Sequence, residues 1–338
     1  MSMNVLSLFD GISCAQVALK RNGVKVDNYY ASELDKFAIQ ITQDKHPSTI
    51  QLGDVTKWVA WDVDWSSIDR VSAGFQCQSW SLAGKQLGDK DERGMLFWVM
   101  LDIIAHVLKN NPDAKFMMEN VRMKREFEEY ITFHTEQALG SVHKTLINSA
   151  LVSAQNRNRF YWTNFEVNQP EDKGLVLADI LESGVTDRDK SHCIDANYFK
   201  GGNLKSYFEK NRRQLVFALK DNNRAKVVTE NTRGYRPHRG DIKSTGISEL
   251  GRILKPTACK TDSLTTSHMP KVAINDNIED LLYRKLTPLE CERLQTVPDN
   301  YTLITDTHGK QLVSDTQRYK ALGNGFTVDV IAHIFSHI

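Results

Sequence analysis

Val5-Leu6-Ser7-Leu8-Phe9-Asp10-Gly11-Ile12-Ser13 passes from an apolar run into a glycine turn, after which Ala15, Val17, Ala18 and Leu19 give a helix-like apolar pattern. Strand, tight turn and helix start are the opening of a βαβ unit. Working outward, apolar runs predict strands over residues 4–9, 28–32, 68–73, 115–119, 142–151 and 160–163. Helical rhythm predicts helices over 34–43 and 95–108, the second carrying Leu96, Val99, Ile103, Ile104 and Val107. Such alternation predicts an α/β fold, a doubly wound Rossmann-like sheet with ligands at the carboxyl ends of its strands. Past residue 165 the rhythm is lost. It returns where Thr287 as N-cap, Pro288 at the first helical position and Glu290 at the third form a capping box. An amphipathic helix over 326–338 is expected to return to the first domain, giving a larger domain of 1–165 plus 315–338 and a smaller, irregular one of 166–314.

With 338 residues, 41% hydrophobic and 25% charged, the chain has the make-up of a globular protein with a substantial core. No apolar stretch approaches the ~18 residues a membrane span needs, and the start carries no basic, secretory-type segment. Five scattered cysteines (14, 77, 193, 259 and 291), without a CxxC or a His/Cys cluster, suggest neither a disulfide framework nor a metal, and fit a reducing, cytoplasmic setting. The net charge of +1 is uneven: residues 200–260 hold 15 Lys/Arg against 5 Asp/Glu, so +10 there leaves −9 elsewhere. A basic segment set in an acidic chain is the footprint of a surface for phosphate backbones.

Three short stretches carry chemistry. Gly74-Phe75-Gln76-Cys77-Gln78 follows the strand over 68–73; Glu119-Asn120-Val121 ends the next; Gln155-Asn156-Arg157-Asn158-Arg159 leads into the last. A thiol, a carboxylate and paired guanidiniums at strand ends supply a nucleophile, an acid and an anchor for a planar polar ring. At the other end, Gly11 allows close backbone approach. Glu33, about twenty residues past the turn, can accept from ribose hydroxyls. Asp54, expected at the end of a third short strand, can accept from an adenine amino group. The later glycines of a GxGxxG are missing, because Ser13 and Cys14 stand there, which disfavours a nicotinamide cofactor.

Taken in order, these motifs resemble those of the C5-cytosine DNA methyltransferases over nearly all of residues 4–165 and 283–335. Phe9-Asp10-Gly11 resembles the family's S-adenosylmethionine turn, Glu33 its ribose acid and Asp54 its adenine contact. Gly74-Phe75-Gln76-Cys77-Gln78 resembles the nucleophile loop, Glu119-Asn120-Val121 the cytosine-binding ENV, and Gln155-x-Arg157-x-Arg159 the QxRxR. The stretches Arg284–Gln295 and Gln317–Gly325 resemble the late structural motif and the closing one. One departure stands out: the family has proline before the cysteine and this chain has Gln76. Proline fixes φ near about −65°, so glutamine leaves the loop looser or held by a hydrogen bond.

The resemblance implies methyl transfer from S-adenosylmethionine, leaving S-adenosylhomocysteine, to C5 of a cytosine flipped from duplex DNA, with no metal and a monomeric enzyme. Cys77 would add to C6, Glu119 would hold N3, Arg159 would hold O2, Arg157 would brace the nucleophile loop or a phosphate, and Asn120 would fix the loop. Donor contacts would come from Phe9, Asp10, Gly11, Ile12, Ser13, Glu33, Leu34, Asp54, Val55, Gly74, Gln76, Leu96, Asn324 and Phe326. DNA contacts would come from Gln78, Ser81, Lys85, Arg93 and Gln155, and from Arg233, Arg236, Arg239 and Lys260 in a target-recognition region of about 166–280. The polar, glycine-bearing stretch 78–94 fits a lid over the DNA. Cys14, Cys193, Cys259 and Cys291 read as structural. An RNA cytosine methyltransferase, a DNA-binding protein without catalysis and a nicotinamide oxidoreductase are the alternatives; the basic insertion, the retained Cys77 and the incomplete glycine signature weigh against them in turn.

Overall fold

The computed structural model describes residues 2–75, 92–202, 207, 210, 212–219 and 281–338. Its main sheet has seven strands: β1 (Ser2–Leu8), β2 (Lys25–Ser32), β3 (Ile50–Gln51), β4 (Ile68–Gly74), β5 (Lys115–Val121), β6 (His143–Asn148) and β7 (Asn158–Thr163). They lie in the order β3-β2-β1-β4-β5-β7-β6. The pairs β1–β2, β2–β3, β1–β4 and β4–β5 are parallel, while β7 runs antiparallel to both β5 and β6. The α/β doubly wound expectation holds, with one antiparallel strand, β7, next to the edge. The chain leaves β1 in one direction and returns to β4 on its other side. The crevice beyond the carboxyl ends of these two strands is therefore the switch point where such sheets bind ligands.

Helices cover both faces: α1 (Cys14–Arg21), α2 (Lys36–Lys45), α3 (Glu92–Asn110) and α4 (Arg125–Leu139). Further on come α5 (Leu177–Ile180), α6 (Pro288–Leu294), α7 (Asp315–Asn324) and α8 (Val328–Phe335). Side chains alternate across the strands, so Val5 and Met117 join a core with Ala15, Leu19, Ile331 and Ile334. Their neighbours Leu6, Leu8, Phe116 and Met118 join a second core with Phe97, Ile104 and Trp162. Burial on both faces explains why these strands read as continuous apolar runs rather than as alternation. The first core continues through Leu177, Ile194, Val216 and Leu286, and so spans the boundary expected at 165. In that irregular region β8 (Leu215–Leu219) and β9 (Leu281–Lys285) pair antiparallel.

Several element ends move for local reasons. The strand expected to reach 151 stops at Asn148, whose Oδ1 accepts from the Ala150 N–H at 3.0 Å and caps a 3-10 turn over Ser149–Leu151. The helix expected from 34 starts at Lys36, because Asp35 caps it by accepting from the Phe37 N–H at 2.9 Å. The last helix is α8, shorter than 326–338. The capping box is present: Thr287 Oγ1 accepts from the Glu290 N–H at 3.1 Å, and Glu290 accepts from the Thr287 N–H at 2.8 Å. No helix among the described residues is long and apolar enough to cross a membrane.

Candidate active site

The crevice is a cleft of about 270 Å³ at the carboxyl ends of β1, β2, β4 and β5. Its floor is the turn after β1, where Phe9, Gly11 and Ser13 all take left-handed backbone angles, with φ of 57°, 62° and 55°. For Phe9 and Ser13 this is strained backbone of the kind that gathers at ligand sites. Glu33 locks the turn: Oε2 accepts from the Gly11 N–H at 2.8 Å, and Oε1 from the N–H groups of Leu34 and Asp35 at 2.7 and 2.8 Å. A carboxylate has about four acceptor positions, so Glu33 keeps capacity for one more donor.

Asp54 lies three residues beyond β3 rather than at a strand end, and caps a 3-10 turn over Val55–Ala60. Its Oδ1 takes both the N–H and the hydroxyl of Thr56, at 2.9 and 2.8 Å, leaving Oδ2 to the cleft. Those bonds hold its carboxyl below the usual range, so it is an anion at neutral pH. Leu34 is 69% exposed and borders the same space, as do Ala321, Asn324 and Phe326. Gly74 is needed for close approach, because a Cβ there would lie 2.7 Å from the Phe326 ring.

Of the expected donor residues, Phe9, Asp10, Gly11, Glu33, Leu34, Asp54, Val55, Gly74, Leu96, Asn324 and Phe326 line the cleft. Ile12 and Ser13 do not. Both are fully buried, Ile12 in the first core and Ser13 on Asp10 and Thr42, because the left-handed turn aims them inward. Asp10 borders the cleft, but its carboxyl faces the interior, accepting from Tyr29 at 2.7 Å and from Ser13, and burial raises its pKa.

The cleft's other end is built by the antiparallel pairing of β5 and β7, which sets Glu119 opposite Tyr161 and Val121 opposite Arg159. Arg159 Nε meets Glu119 Oε1 at 2.8 Å with both side chains mostly buried. Asn120 accepts from the Val121 N–H at 2.7 Å and donates to the Phe75 carbonyl at 3.4 Å. It therefore anchors the residue that leads into the Cys77 segment. Arg157 is 3% exposed and donates to the carbonyls of Ile194, Gly323 and Gly325 at 3.1, 3.4 and 2.9 Å. Its bonds brace the closing motif, not the nucleophile loop or a phosphate as the sequence suggested.

Gln155 also differs from expectation. It is 0% exposed, its amide nitrogen donating to the Leu294 carbonyl at 2.7 Å and to Gln295 at 3.0 Å, so it cannot reach DNA. Gln76, Cys77, Gln78, Ser81, Lys85, Arg233, Arg236, Arg239 and Lys260 lie outside the described residues, as does the side chain of Arg93. The sequence reading missed Phe75, Asp35 and Gly323, which line the cleft. It also missed Cys193, whose sulfur stands 3.4 Å from Arg157 Nη1 and 4.0 Å from Arg159 Nη2. A lone cysteine in Ser191-His192-Cys193-Ile194 gives no signal of this. Cys14 is an inert core thiol, pushed up to about 12 by burial. Among the described residues no group of three or more His, Cys, Asp or Glu could hold a metal ion.

Known proteins similar to this chain are numerous. The chain is 26% identical over 98% of its length to Type II methyltransferase M.NlaX of Neisseria lactamica, covering 94% of that protein. It is 28% identical over 96% of its length to Type II methyltransferase M.HpaII of Haemophilus parainfluenzae, covering 86% of it. Among solved structures, S. pombe Dnmt2 methyltransferase shares the fold with a TM-score of 0.60 at 17% identity, over 99% of this chain and 98% of that one. The family model described as C-5 cytosine-specific DNA methylase matches residues 3–338. With that match running through the turn at Gly11, the Glu119–Arg159 pair and the closing motif alike, this chain belongs to the C-5 cytosine-specific DNA methylases.

Proposed function

We propose that this DNA cytosine-5-methyltransferase takes its methyl group from S-adenosylmethionine and acts on a cytosine swung out of duplex DNA, with Cys77 bonded transiently to C6. The donor supplies an electrophilic methyl on a sulfonium. The cleft residues fit it: Glu33 has a spare acceptor position for a ribose hydroxyl, Asp54 Oδ2 can accept from the adenine amino group, and Leu34, Val55 and Phe326 offer apolar walls. Cytosine C5 is a weak nucleophile, so the chain's own groups must activate it. Addition of the Cys77 thiolate to C6 makes C5 electron-rich and divides one hard step into easier ones. Glu119, carrying a proton, donates to N3 and draws electrons from the ring as sulfur adds, while Arg159 holds O2. After methylation the C5 proton passes to solvent, its electron pair re-forms the C5–C6 double bond, and the C6–sulfur bond breaks to release the thiolate. A stacked base hides C5 and C6, hence the need for an extrahelical target.

The observation that carries this reading is the Glu119–Arg159 pair at 2.8 Å, at the end of the strand next to the one that feeds Cys77, in the same cleft as Glu33 and Asp54. The relatives' name, Type II methyltransferase, supports a restriction-modification role. Bisulfite sequencing of plasmid DNA treated with the purified protein and S-adenosylmethionine is expected to show 5-methylcytosine within one short sequence. Label entering RNA alone, or no methylated cytosine in DNA, would overturn the reading.

A further inference from the structure

We propose that Cys193 is a positioning residue for the reaction: its sulfur serves as the shared counter-ion of Arg157 and Arg159 and holds Arg159 in place beside Glu119. The inference rests on the functional reading above. Three observations carry it. First, Arg157 is a buried guanidinium, and besides Cys193 Sγ at 3.4 Å its side chain bonds only carbonyls. A buried cation without an anion is costly, and the sulfur is the one group bonded to it that can carry negative charge. Second, the same sulfur stands 4.0 Å from Arg159 Nη2, while Arg159 Nε holds Glu119 at 2.8 Å. Third, the sulfur's position is fixed by backbone. Ser191 forms a parallel bridge with Gln155, the Ser191 N–H donates to the Ala154 carbonyl at 2.7 Å, and the Ile194 N–H reaches Gln155 Oε1 at 3.5 Å.

The charge balance gives this arrangement a use. Arg159 holds Glu119 at 2.8 Å, and the reaction asks that carboxylate to carry a proton. When it does, a thiolate at Cys193 still offers Arg159 a negative partner, and Arg159 stays aimed at the base. The alternative state, a neutral thiol, would donate to the Ile194 carbonyl at 3.4 Å beside Arg157 Nη1 at 3.1 Å, and would leave Arg157 bonded to no anion. Burial pushes the thiol's pKa up, and the two guanidiniums outweigh it, so the net shift is downward. The other charged groups near it on its own segment are engaged elsewhere, His192 with Arg188 and Asp195 with Arg212.

Two measurements on the full chain test the proposal. In steady-state methylation, Cys193→Ala and Cys193→Ser are expected to lower kcat roughly tenfold or more with the donor KM unchanged, and Cys193→Asp to stay within about threefold of wild type. A purely structural cysteine would be rescued by serine better than by aspartate. Serine matching aspartate, or alanine at wild-type kcat, overturns the proposal. Independently of activity, iodoacetamide labelling of the wild-type protein, mapped to the Cys193 peptide across pH, is expected to show a midpoint below the ~8.5 of a free thiol. A midpoint at or above that value, or no labelling at any pH, also overturns it. If the wild type methylates nothing, the functional reading fails, while the labelling midpoint still decides whether Cys193 is an anion.

Discussion

Gln155→Ala separates a structural glutamine from a DNA-reading one. The side chain is fully buried and makes three bonds: Nε2 to the Leu294 carbonyl at 2.7 Å, Nε2 to Gln295 Oε1 at 3.0 Å, and Oε1 from the Ile194 N–H at 3.5 Å. Truncation does not orphan every partner. The Leu294 carbonyl keeps Ser153 Oγ at 2.6 Å, and Gln295 Oε1 keeps the Thr327 hydroxyl at 2.9 Å. The Ile194 N–H is left without an acceptor, at a cost of about 1–3 kcal/mol. The lost donor bonds and the cavity add about 1 kcal/mol more, for a total of roughly 2–4 kcal/mol. Urea unfolding with unchanged m-value measures the loss. Affinity for duplex DNA, and its dependence on salt, should stay at wild-type values. A tenfold loss of DNA affinity with under about 1 kcal/mol of destabilisation would refute the reasoning.

Replacing Arg318 by methionine removes the cation that meets the fully buried carboxylate of Glu292 at 3.1 Å, leaving it only the N–H groups of Asn300 and Thr302 and the Thr302 hydroxyl, and should cost about 3–5 kcal/mol in the same unfolding experiment; less than about 1 kcal/mol would contradict it. His46 is pushed down to about 4 by burial and then Lys20, and His192 to about 4 by burial and then Arg188. The unfolded chain takes up these protons near about pH 6.5 while the fold still refuses them, so stability should fall as pH drops from there towards 4, levelling out for these two groups below that. Glutamine at both positions should flatten that part of the pH–stability curve; an unchanged slope would dismiss the assignment. Gly74→Ala sets a Cβ 2.7 Å from the Phe326 ring, which must swing into the donor space. At about 1–3 kcal/mol of overpacking this should raise the donor KM roughly tenfold, and an unchanged KM would show that the ring is not a wall of the donor site.

What could be read from the sequence, and what could not, follows from distance along the chain. The turn at Gly11, the ends of β4 and β5 and the box at Thr287 are local. Residue spacing alone announces them, because glycine angles, strand periods and capping bonds act within a few positions. The motifs assign Glu119 and Arg159 to N3 and O2 of one base, while their direct pairing comes from the antiparallel register of β5 and β7. Gln155 was misread because its partners lie 139 and 140 positions downstream, so a polar residue in a loop-like stretch looked exposed. Arg157 was misassigned in the same way, its carbonyl partners being 37, 166 and 168 positions away. Ser13 seemed available to a ligand until its left-handed backbone turned the hydroxyl onto Asp10. Residues 166–200 hold their course through single backbone bonds and side-chain anchors such as Lys190, which caps three carbonyls between 2.5 and 3.1 Å. That kind of order has no period to detect.

The central claim is a covalent bond between the sulfur of Cys77 and C6 of cytosine. Duplex DNA carrying 5-fluorocytosine in place of cytosine tests it most directly, since fluorine at C5 cannot leave as the proton does and the adduct persists after methyl transfer. With S-adenosylmethionine present, a protein–DNA species stable to denaturing electrophoresis should form, map to Cys77 by mass spectrometry, and be missing from Cys77→Ser. Methylation of ordinary DNA by Cys77→Ser at the wild-type rate, or an adduct mapping to another residue, would contradict the account.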